Sequence, residues 1–375
     1  MALSKVDLAN QVENQLPQSL VADNVNFRNI LINGDMSLAQ RATSKASITG
    51  TDATCDRWRF AASSAGTWTI SQSTTVPTGQ GFATSFKADC TTANGSLSAG
   101  SILRLSQFIE GQNLQYLKKG TSSAESLTMS FWVRSAKTGT YIINLKDRDN
   151  TRVISKSYTI NSADTWEKKT ITCDGDTTGA FDNDNDWSLE VHFYLVAGST
   201  YSSGTLNTSW NSQTTADIAV GQVNLADSTS NDWYVTGVQL EAGTAASDFE
   251  HLPYDTNLTK CMRYFPVVRN DDSGGYYTSG LTISGGTTCN FFIPLKVIPR
   301  VPPTGITVQN VTGFGGTTLS VGRTASSITF GNTSHQGVLV QLVTSGGFTA
   351  NEFCYMTNAN SSTDARIFFT GAEFF

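Results

Sequence analysis

An alternating pattern of apolar and other residues, Leu189-Glu190-Val191-His192-Phe193-Tyr194-Leu195-Val196, indicates the fold class of this chain. Large apolar residues occupy every second position from Leu189 to Leu195. Successive side chains of a β-strand point to opposite faces, so this alternation predicts a strand with one buried face. His192 falls on the other face, and we interpret it as a histidine held by polar neighbours rather than as a catalytic group.

Similar short runs recur on both sides of this strand and are separated by polar turns. Val, Thr, Tyr, Phe and Trp favour pleated strands, whereas Gly, Asn, Asp and Ser supply the turns between them. The pattern predicts an all-β chain folded as a two-sheet sandwich. The other predicted strands are Trp58–Phe60, Thr67–Ser71, Ser101–Phe108, Leu127–Val133, Tyr141–Leu145, Val153–Ile160, Glu167–Cys173 and Trp233–Leu240.

The length of 375 residues predicts more than one domain, because single cores rarely grow so large. We predict an N-terminal anchoring segment at 1–28, a main β domain at 29–253, a short helical linker at 254–265 and a smaller C-terminal β-sandwich at 266–375. Leu8, Val12, Leu16 and Leu20 recur every four residues and predict a short amphipathic helix in the first segment. This helix is either an anchor on a larger assembly or a frayed terminus.

The charge balance excludes some classes of partner. The net charge is −6 and the sequence has no Lys/Arg-rich run, which argues against nucleic-acid binding. No run of apolar residues is long enough to cross a bilayer, so we expect no membrane insertion. The first residues lack the apolar core of a signal peptide, and we therefore expect the protein to be made in a cytoplasm.

Catalytic motifs are missing from the sequence, and we expect a non-enzymatic protein without a cofactor. The histidines are His192, His251 and His335, and none belongs to an HExxH motif. Neither a GxSxG motif nor a P-loop occurs. The six cysteines are scattered singly, which favours buried thiols over disulfides.

A structural calcium ion is one interpretation of the sequence at two places. Asp182-Asn183-Asp184-Asn185-Asp186 supplies hard oxygen ligands, but its spacing does not fit an EF-hand, and a polar turn is the alternative. The second place is near Asp35, Asp232 and Glu241.

Aromatic residues in polar loops are the candidate ligand contacts, because their rings combine an apolar face with a polar edge. The candidates are Tyr201, Trp210, Tyr276 and Tyr277. The alternative for each is packing at a subunit interface.

Several blocks within residues 29–265 carry a recognisable pattern. They are Asn29–Met36, Gln40-Arg41, Asp56–Trp58, Ser130–Ser135, Gly175–Gly179, Trp233–Gly243 and Cys261–Phe265. These blocks resemble bacteriophage tail fibre or receptor-binding proteins with a carbohydrate-binding-module-like jelly roll. The segment Pro299–Thr304 resembles part of the tip of such fibres.

The resemblance implies a jelly-roll β-sandwich followed by a smaller β-sandwich tip, with Trp58, Trp132 and Trp233 in the core and Gly34 and Gly237 shaping turns. It also implies a homotrimer on the virion that is attached to another virion protein through residues 1–28. The partner expected at the host is a surface glycan, bound without turnover during host attachment. A capsid head fibre or decoration protein is the alternative.

Overall fold

The computed structural model describes residues 27–272, 275–283, 287–315, 322–323, 327–344, 351–359 and 362–374. The predicted anchoring segment at 1–28 lies outside these residues except for its last two positions. The chain divides into two compact units, with the boundary between Leu252 and Pro253. We call residues 1–252 unit 1 and residues 253–375 unit 2.

Unit 1 is built from two antiparallel sheets. One sheet has the strand order β1-β4-β5-β13-β7-β10, and the other has the order β12-β9-β8-β11-β6-β3-β2. The strands are β1 (Ser44–Ile48), β2 (Thr51–Asp52), β3 (Arg59–Ser63), β4 (Thr67–Ser73), β5 (Ser85–Thr92), β6 (Ile102–Glu110), β7 (Leu127–Ser135), β8 (Gly139–Asp147), β9 (Arg152–Ile160), β10 (Glu167–Cys173), β11 (Trp187–Ala197), β12 (Asn211–Ser212) and β13 (Asp232–Ala242). Short helices connect them: 3-10 turns at Gly111–Asn113, Gln115–Leu117, Thr215–Asp217 and Leu225–Asp227, and helix α1 at Ser199–Ser202.

The two sheets of unit 1 enclose one core. Leu189, Val191 and Phe193 of β11 enter it, together with Phe131 and Val133 of β7 from the opposite sheet. Strands that are consecutive in sequence repeatedly lie in different sheets, as β7 and β8 do, and this is the connectivity of a jelly roll. The predicted all-β jelly-roll sandwich is confirmed.

Two of the three tryptophans expected in the core are there. Trp58 and Trp233 are fully buried. Trp132 is only half-buried, so the prediction for this residue is wrong. The reason is the period of the strand: Leu127, Met129, Phe131 and Val133 take the inward positions of β7, which leaves Trp132 on the outer face.

Gly34 and Gly237 both lie where a side chain does not fit. A Cβ at Gly34 would be 2.0 Å from the carbonyl oxygen of Val238. Gly237 has φ +61°, at the register shift between Thr236 and Gln239, and it faces the Phe82 ring. They let the chain before β1 lie directly against β13, where Val238 N donates to Gly34 O at 2.9 Å.

Unit 2 also contains two antiparallel sheets. A three-stranded sheet has the order β14-β23-β17, and a seven-stranded sheet has the order β19-β18-β22-β15-β16-β21-β20. The elements are α2 (Tyr254–Met262), β14 (Val267–Asn270), β15 (Tyr276–Thr282), β16 (Thr288–Pro294), β17 (Gly305–Gln309), β18 (Val311–Gly315), β19 (Gly322–Arg323), β20 (Ser327–Thr333), β21 (Gly337–Val343), β22 (Phe353–Asn358) and β23 (Ala365–Thr370).

The core of unit 2 joins Ile367 and Phe369 of the small sheet to Phe291, Val340 and Met356 of the large one. The residues predicted as a linker at 254–265 are part of this unit. Helix α2 buries Cys261 and Met262, and the Phe265 ring stacks on Phe368 at 5.8 Å. All six cysteines lie in the described residues, are buried and carry thiols, as predicted.

Candidate functional site

An open cleft of about 450 Å³ lies on the seven-stranded sheet of unit 2. Its lining consists of Tyr276, Tyr277, Thr278, Ser279 and Tyr355. Strand β15 supplies the first four of these residues, and its neighbour β22 supplies the fifth. The cleft therefore combines two of the four predicted ligand contacts, Tyr276 and Tyr277, with a third tyrosine, Tyr355, that was not among the predicted contacts.

Tyr276 and Tyr355 form the aromatic surface of the cleft. Their ring centroids are 5.5 Å apart, and the planes meet at 66°. Tyr276 is 61% exposed, which is unusual for so large a ring. A register shift between Tyr276 and Thr278 moves Tyr276 out of the regular alternation of β15. The two rings thus make an angled apolar surface that is open to solvent.

The alternation of β22 explains why Tyr355 faces the cleft. Cys354 and Met356 on either side of it are fully buried in the core of unit 2. Tyr355 must therefore point away from the core. The same alternation in Phe353-Cys354-Tyr355-Met356 is the sequence signal that could have identified this residue.

A buried amide fixes the turn that precedes Tyr276. Asn358 is 2% exposed, and its Nδ2 donates to the carbonyl oxygens of Asn270, Asp272 and Ser362 at 3.1, 2.7 and 2.7 Å. Gly275 N donates to Asp272 O at 3.0 Å. These bonds hold both ends of the turn to β22, so the position of Tyr276 does not depend on its own exposed side chain.

Hydroxyl groups supply the polar part of the cleft. Thr278 Oγ1 donates to the carbonyl oxygen of Phe292 at 3.2 Å and keeps its lone pairs for other donors. Tyr277 is half-buried against the core, and burial, followed by the nearby charge of Asp271, raises its pKa. The Tyr277 phenol is therefore neutral at physiological pH, but its oxygen is buried, so Thr278 and Ser279 supply the hydroxyls that a ligand can reach from β15.

The cleft is suited to a neutral ligand with apolar faces and hydroxyl edges. Tyrosine rings offer area at a low cost in conformational entropy. Arginine and lysine are not among the lining residues. The chemistry available here is stacking combined with hydrogen bonding.

Trp210, the third predicted ligand contact, makes its contacts with other residues of unit 1. Its Nε1 donates to Asp174 O at 2.8 Å, and the ring packs partly against the core of unit 1. Lys119 Nζ lies 5.7 Å from the ring centroid. Arg152 Nη2 donates to Trp210 O at 3.2 Å. These contacts attach the loop that contains Trp210, directly before β12, to the rest of unit 1.

Tyr201, the fourth candidate, lies on helix α1. Its ring packs partly against a small apolar cluster on the outer face of the second sheet of unit 1, which includes Ile142, Tyr194 and Ile218. The structure therefore brings Tyr276 and Tyr277 together in one cleft and leaves Tyr201 and Trp210 elsewhere.

The acidic run at 182–186 forms a polar turn before β11. Asp184 Oδ1 accepts from Asp186 N at 2.9 Å, and the Asp186 carboxylate accepts from Trp187 N at 2.9 Å and pairs with Arg148. Within the described ranges, no group of three or more His, Cys, Asp or Glu side chains is arranged to hold a metal ion. Over the same ranges, no helix has the length and apolar character needed to cross a membrane.

Comparisons with known proteins identify only distant structural likenesses. No protein-family model matches the chain, and no curated protein sequence matches it. The enzymatically active domain of tailspike protein 4 from bacteriophage CBA120 is similar to 58% of this chain, with 16% identity and a TM-score of 0.30, and the match covers 22% of that tailspike chain.

Carbohydrate-binding modules give similar values. TmCBM61, solved with β-1,4-galactotriose, has 12% identity and a TM-score of 0.28, with 57% of this chain and 99% of that chain covered. The family 11 module of the Clostridium thermocellum cellulase Lic26A-Cel5E has 13% identity and a TM-score of 0.26, with 55% and 98% covered. Likenesses at this level are too distant to assign a function to the chain.

Proposed function

We propose that this chain is a structural and adhesive virion protein of a bacteriophage, a tail fibre, that recognises host-surface glycans by multivalent non-covalent binding. Unit 2 carries the recognition cleft. The N-terminal segment attaches to another virion protein, and three copies assemble. No covalent step takes part in this proposal.

The observation that carries the glycan part is the pair Tyr276 and Tyr355. A pyranose ring has an apolar face and a rim of hydroxyl groups. The rings of Tyr276 and Tyr355 match the apolar face, and the hydroxyls of Thr278 and Ser279 match the rim. A single open cleft of this kind binds weakly, but several copies on one particle raise the effective concentration.

The virion part is supported by the sequence blocks Asn29–Met36 and Trp233–Phe265, which resemble tail fibre proteins. The chain is also mildly acidic and rich in Ser, Thr and Asn, which favours solubility and disfavours binding to nucleic acid.

The binding test uses the full chain with the double substitution Tyr276→Ala and Tyr355→Ala. We expect the affinity for susceptible host cells and for their isolated surface polysaccharide to fall about tenfold or more, which equals about 1.4 kcal/mol per factor of ten. The matched control is Tyr254→Ala, because Tyr254 is also 61% exposed in unit 2 but does not line the cleft. Equal losses in the two variants, or no loss in either, would contradict the cleft as the recognition site.

Three further measurements test the remaining parts. Immunogold labelling of intact particles is expected on the tail; labelling on the capsid would favour a head fibre or decoration protein instead.

Native mass spectrometry is expected to give three times the 40.3 kDa of one chain. Polysaccharide incubated with the protein is expected to keep its length, and shortening of the polymer would replace the binding role with an enzymatic one.

A further inference from the structure

The outer face of the seven-stranded sheet in unit 1 carries a row of polar residues. Arg59 of β3 is paired with Ser106 of β6, which is paired with His192 of β11, which in turn is paired with Asn144 of β8. The residues between them, such as Leu105 and Phe193, enter the core. The fold does not require polar residues on this face. Ile142 and Tyr194 lie on the neighbouring part of the same face and are apolar contacts there.

The floor of this row is a closed hydrogen-bond network. Ser106 Oγ and His192 Nδ1 are 2.7 Å apart, and His192 Nε2 and Glu190 Oε2 are 2.9 Å apart. Trp187 Nε1 donates to the other oxygen of Glu190 at 2.9 Å. Burial lowers the pKa of His192, so the ring is neutral at physiological pH. Burial acts to raise the pKa of Glu190, but hydrogen bonds from His192 and Trp187 and the charge of Lys146 lower it overall, so Glu190 is a carboxylate.

Positive charge exceeds negative charge above this floor. Arg59, Arg104 and Lys146 are half-buried on the same face, and Glu190 is the carboxylate between them. Lys146 Nζ lies 3.4 Å from Glu190 Oε2 and is thereby paired. Across the residues that the structure describes, Arg59 and Arg104 take part in no salt bridge, in a chain whose net charge is −6.

The positive charges of Arg59 and Arg104 repel each other. Burial, followed by the charge of Arg104, lowers the pKa of Arg59. The Nε of Arg59 is buried without a hydrogen-bond partner, and its guanidinium lies 5.6 Å from the centre of the Phe108 ring. The charge of Glu190 acts in the opposite direction on Arg59, but this one carboxylate is shared with Arg104 and with Lys146, to which it is already paired. Three partly desolvated cations beside one carboxylate are costly, and an anion bound between the two arginines offsets that cost. Guanidinium groups bind carboxylates through paired hydrogen bonds, which gives direction as well as charge.

We propose that this face of unit 1 is a second glycan site, specific for a carboxylate-bearing sugar, in which Arg59 and Arg104 bind the carboxylate. The network of Ser106, His192 and Glu190 is the rigid floor that holds the neighbouring strands in register. The buried Phe108 ring packs against Trp187 beside this floor, with the ring centroids 5.9 Å apart. This site is independent of the tyrosine cleft in unit 2, so either one can fail without the other.

The probes are a galacturonic acid trimer and the same trimer with its carboxyl groups reduced to alcohols. Calorimetry on the full chain is expected to detect the acidic trimer and to give at least about tenfold weaker binding for the reduced one. Arg59→Gln and Arg104→Gln are each expected to weaken binding of the acidic trimer about tenfold. Arg59→Lys keeps the charge but loses the paired geometry, and we expect an intermediate affinity.

The matched control is Arg134→Gln, which removes the same charge from the other sheet, where Arg134 is already paired with Asp164 and Asp232. It is expected to leave the affinity within about twofold. A similar loss in this control would mean non-specific charge attraction and would overturn the proposal, as would equal binding of the acidic and reduced trimers. The Tyr276→Ala and Tyr355→Ala variant is expected to bind the acidic trimer normally, which separates this site from the cleft of unit 2. Thermal unfolding of each variant identifies any that have lost their fold.

Discussion

Units 1 and 2 are both antiparallel sandwiches with buried aromatic residues in their cores, but they differ in where their exposed aromatic rings lie. In unit 1, Trp58, Phe193 and Trp233 are fully buried and contact one another. In unit 2, Tyr276 and Phe353 are 61% and 72% exposed. Buried rings stabilise the unit that contains them, whereas exposed rings cost solubility and are retained where they contact something else. The exposed rings of unit 1, Phe27 and Tyr116, lie outside its strands, whereas Tyr276 and Phe353 lie on strands of unit 2, so a sheet of unit 2 itself presents aromatic surface.

The ion pairs of the two units also differ in burial. Unit 1 buries Lys119 between Asp147 and Asp176, at 2.5 and 3.1 Å, and Arg152 makes two hydrogen bonds to Asp176 at 2.7 and 2.9 Å. Among the described residues of unit 2, the pairs Arg269–Asp271 and Arg366–Asp364 each involve an exposed carboxylate. Unit 1 is thus expected to depend on both its aromatic core and its internal charges.

Truncation of one phenylalanine in each unit is expected to have very different effects on stability. Phe193→Ala removes a ring that packs against Trp58, Phe131 and Trp233, and it should lower the free energy of unfolding of unit 1 by about 3–5 kcal/mol. Phe353→Ala, the control in unit 2, should change stability by less than about 0.5 kcal/mol because the ring is exposed. Calorimetry of the full chain measures both, and a larger effect at Phe353 would show that its ring is covered by a partner copy.

The second prediction concerns the buried charges. Lys119→Met leaves Asp147 and Asp176 without that cation, and we expect a loss of about 3 kcal/mol from unit 1, at the lower end for broken buried pairs because Arg152 still neutralises Asp176. Lys118→Met is the control, since Lys118 is exposed and pairs with Glu125 at the surface. Equal effects of the two substitutions in urea unfolding would show that burial of the ion pair is unimportant.

The same network predicts how stability depends on pH. Burial acts to raise the pKa of Asp176, but hydrogen bonds from Arg152 and Lys119 lower it overall. A carboxyl whose pKa is lower in the folded state stabilises that state above its unfolded pKa of about 3.9, and this stabilisation is lost as the pH falls through the folded pKa. Unit 1 should therefore lose stability below about pH 4, and Lys119→Met should show a smaller part of that loss. Unfolding followed by tryptophan fluorescence at a series of pH values measures this difference.

The smallest expected effect lies in the turn that positions the tyrosine cleft. Asn358→Ala removes one amide that serves three carbonyl oxygens, and it should cost unit 2 about 2 kcal/mol. Glycan affinity should fall together with this loss, because Tyr276 no longer has a fixed turn before it. Hydrogen exchange should increase at residues 270–276 and stay unchanged in unit 1. Unchanged exchange in the turn would contradict the role assigned to Asn358.

Local sequence patterns predicted individual strands well but could not predict how they pair. The alternation at Leu189–Val196 predicted the strand found at Trp187–Ala197, and the run Glu167–Cys173 forms a strand with those same ends. The sequence also placed His192 on the face opposite to the core, where it contacts Ser106 and Glu190. It gave no indication that β7 and β8, with only three residues between them, lie in different sheets.

Sequence patterns were sufficient to predict the all-β class, most strands and the face to which each alternating side chain belongs, because these depend on the two-residue period of a single strand. Which faces meet depends on how the whole chain folds. Tyr276 and Tyr355 form a cleft, and Arg59 lies beside Arg104, because strands from distant parts of the chain are neighbours in a sheet. That neighbourhood is fixed by the packing of whole sheets against a common core, and no local pattern contains it.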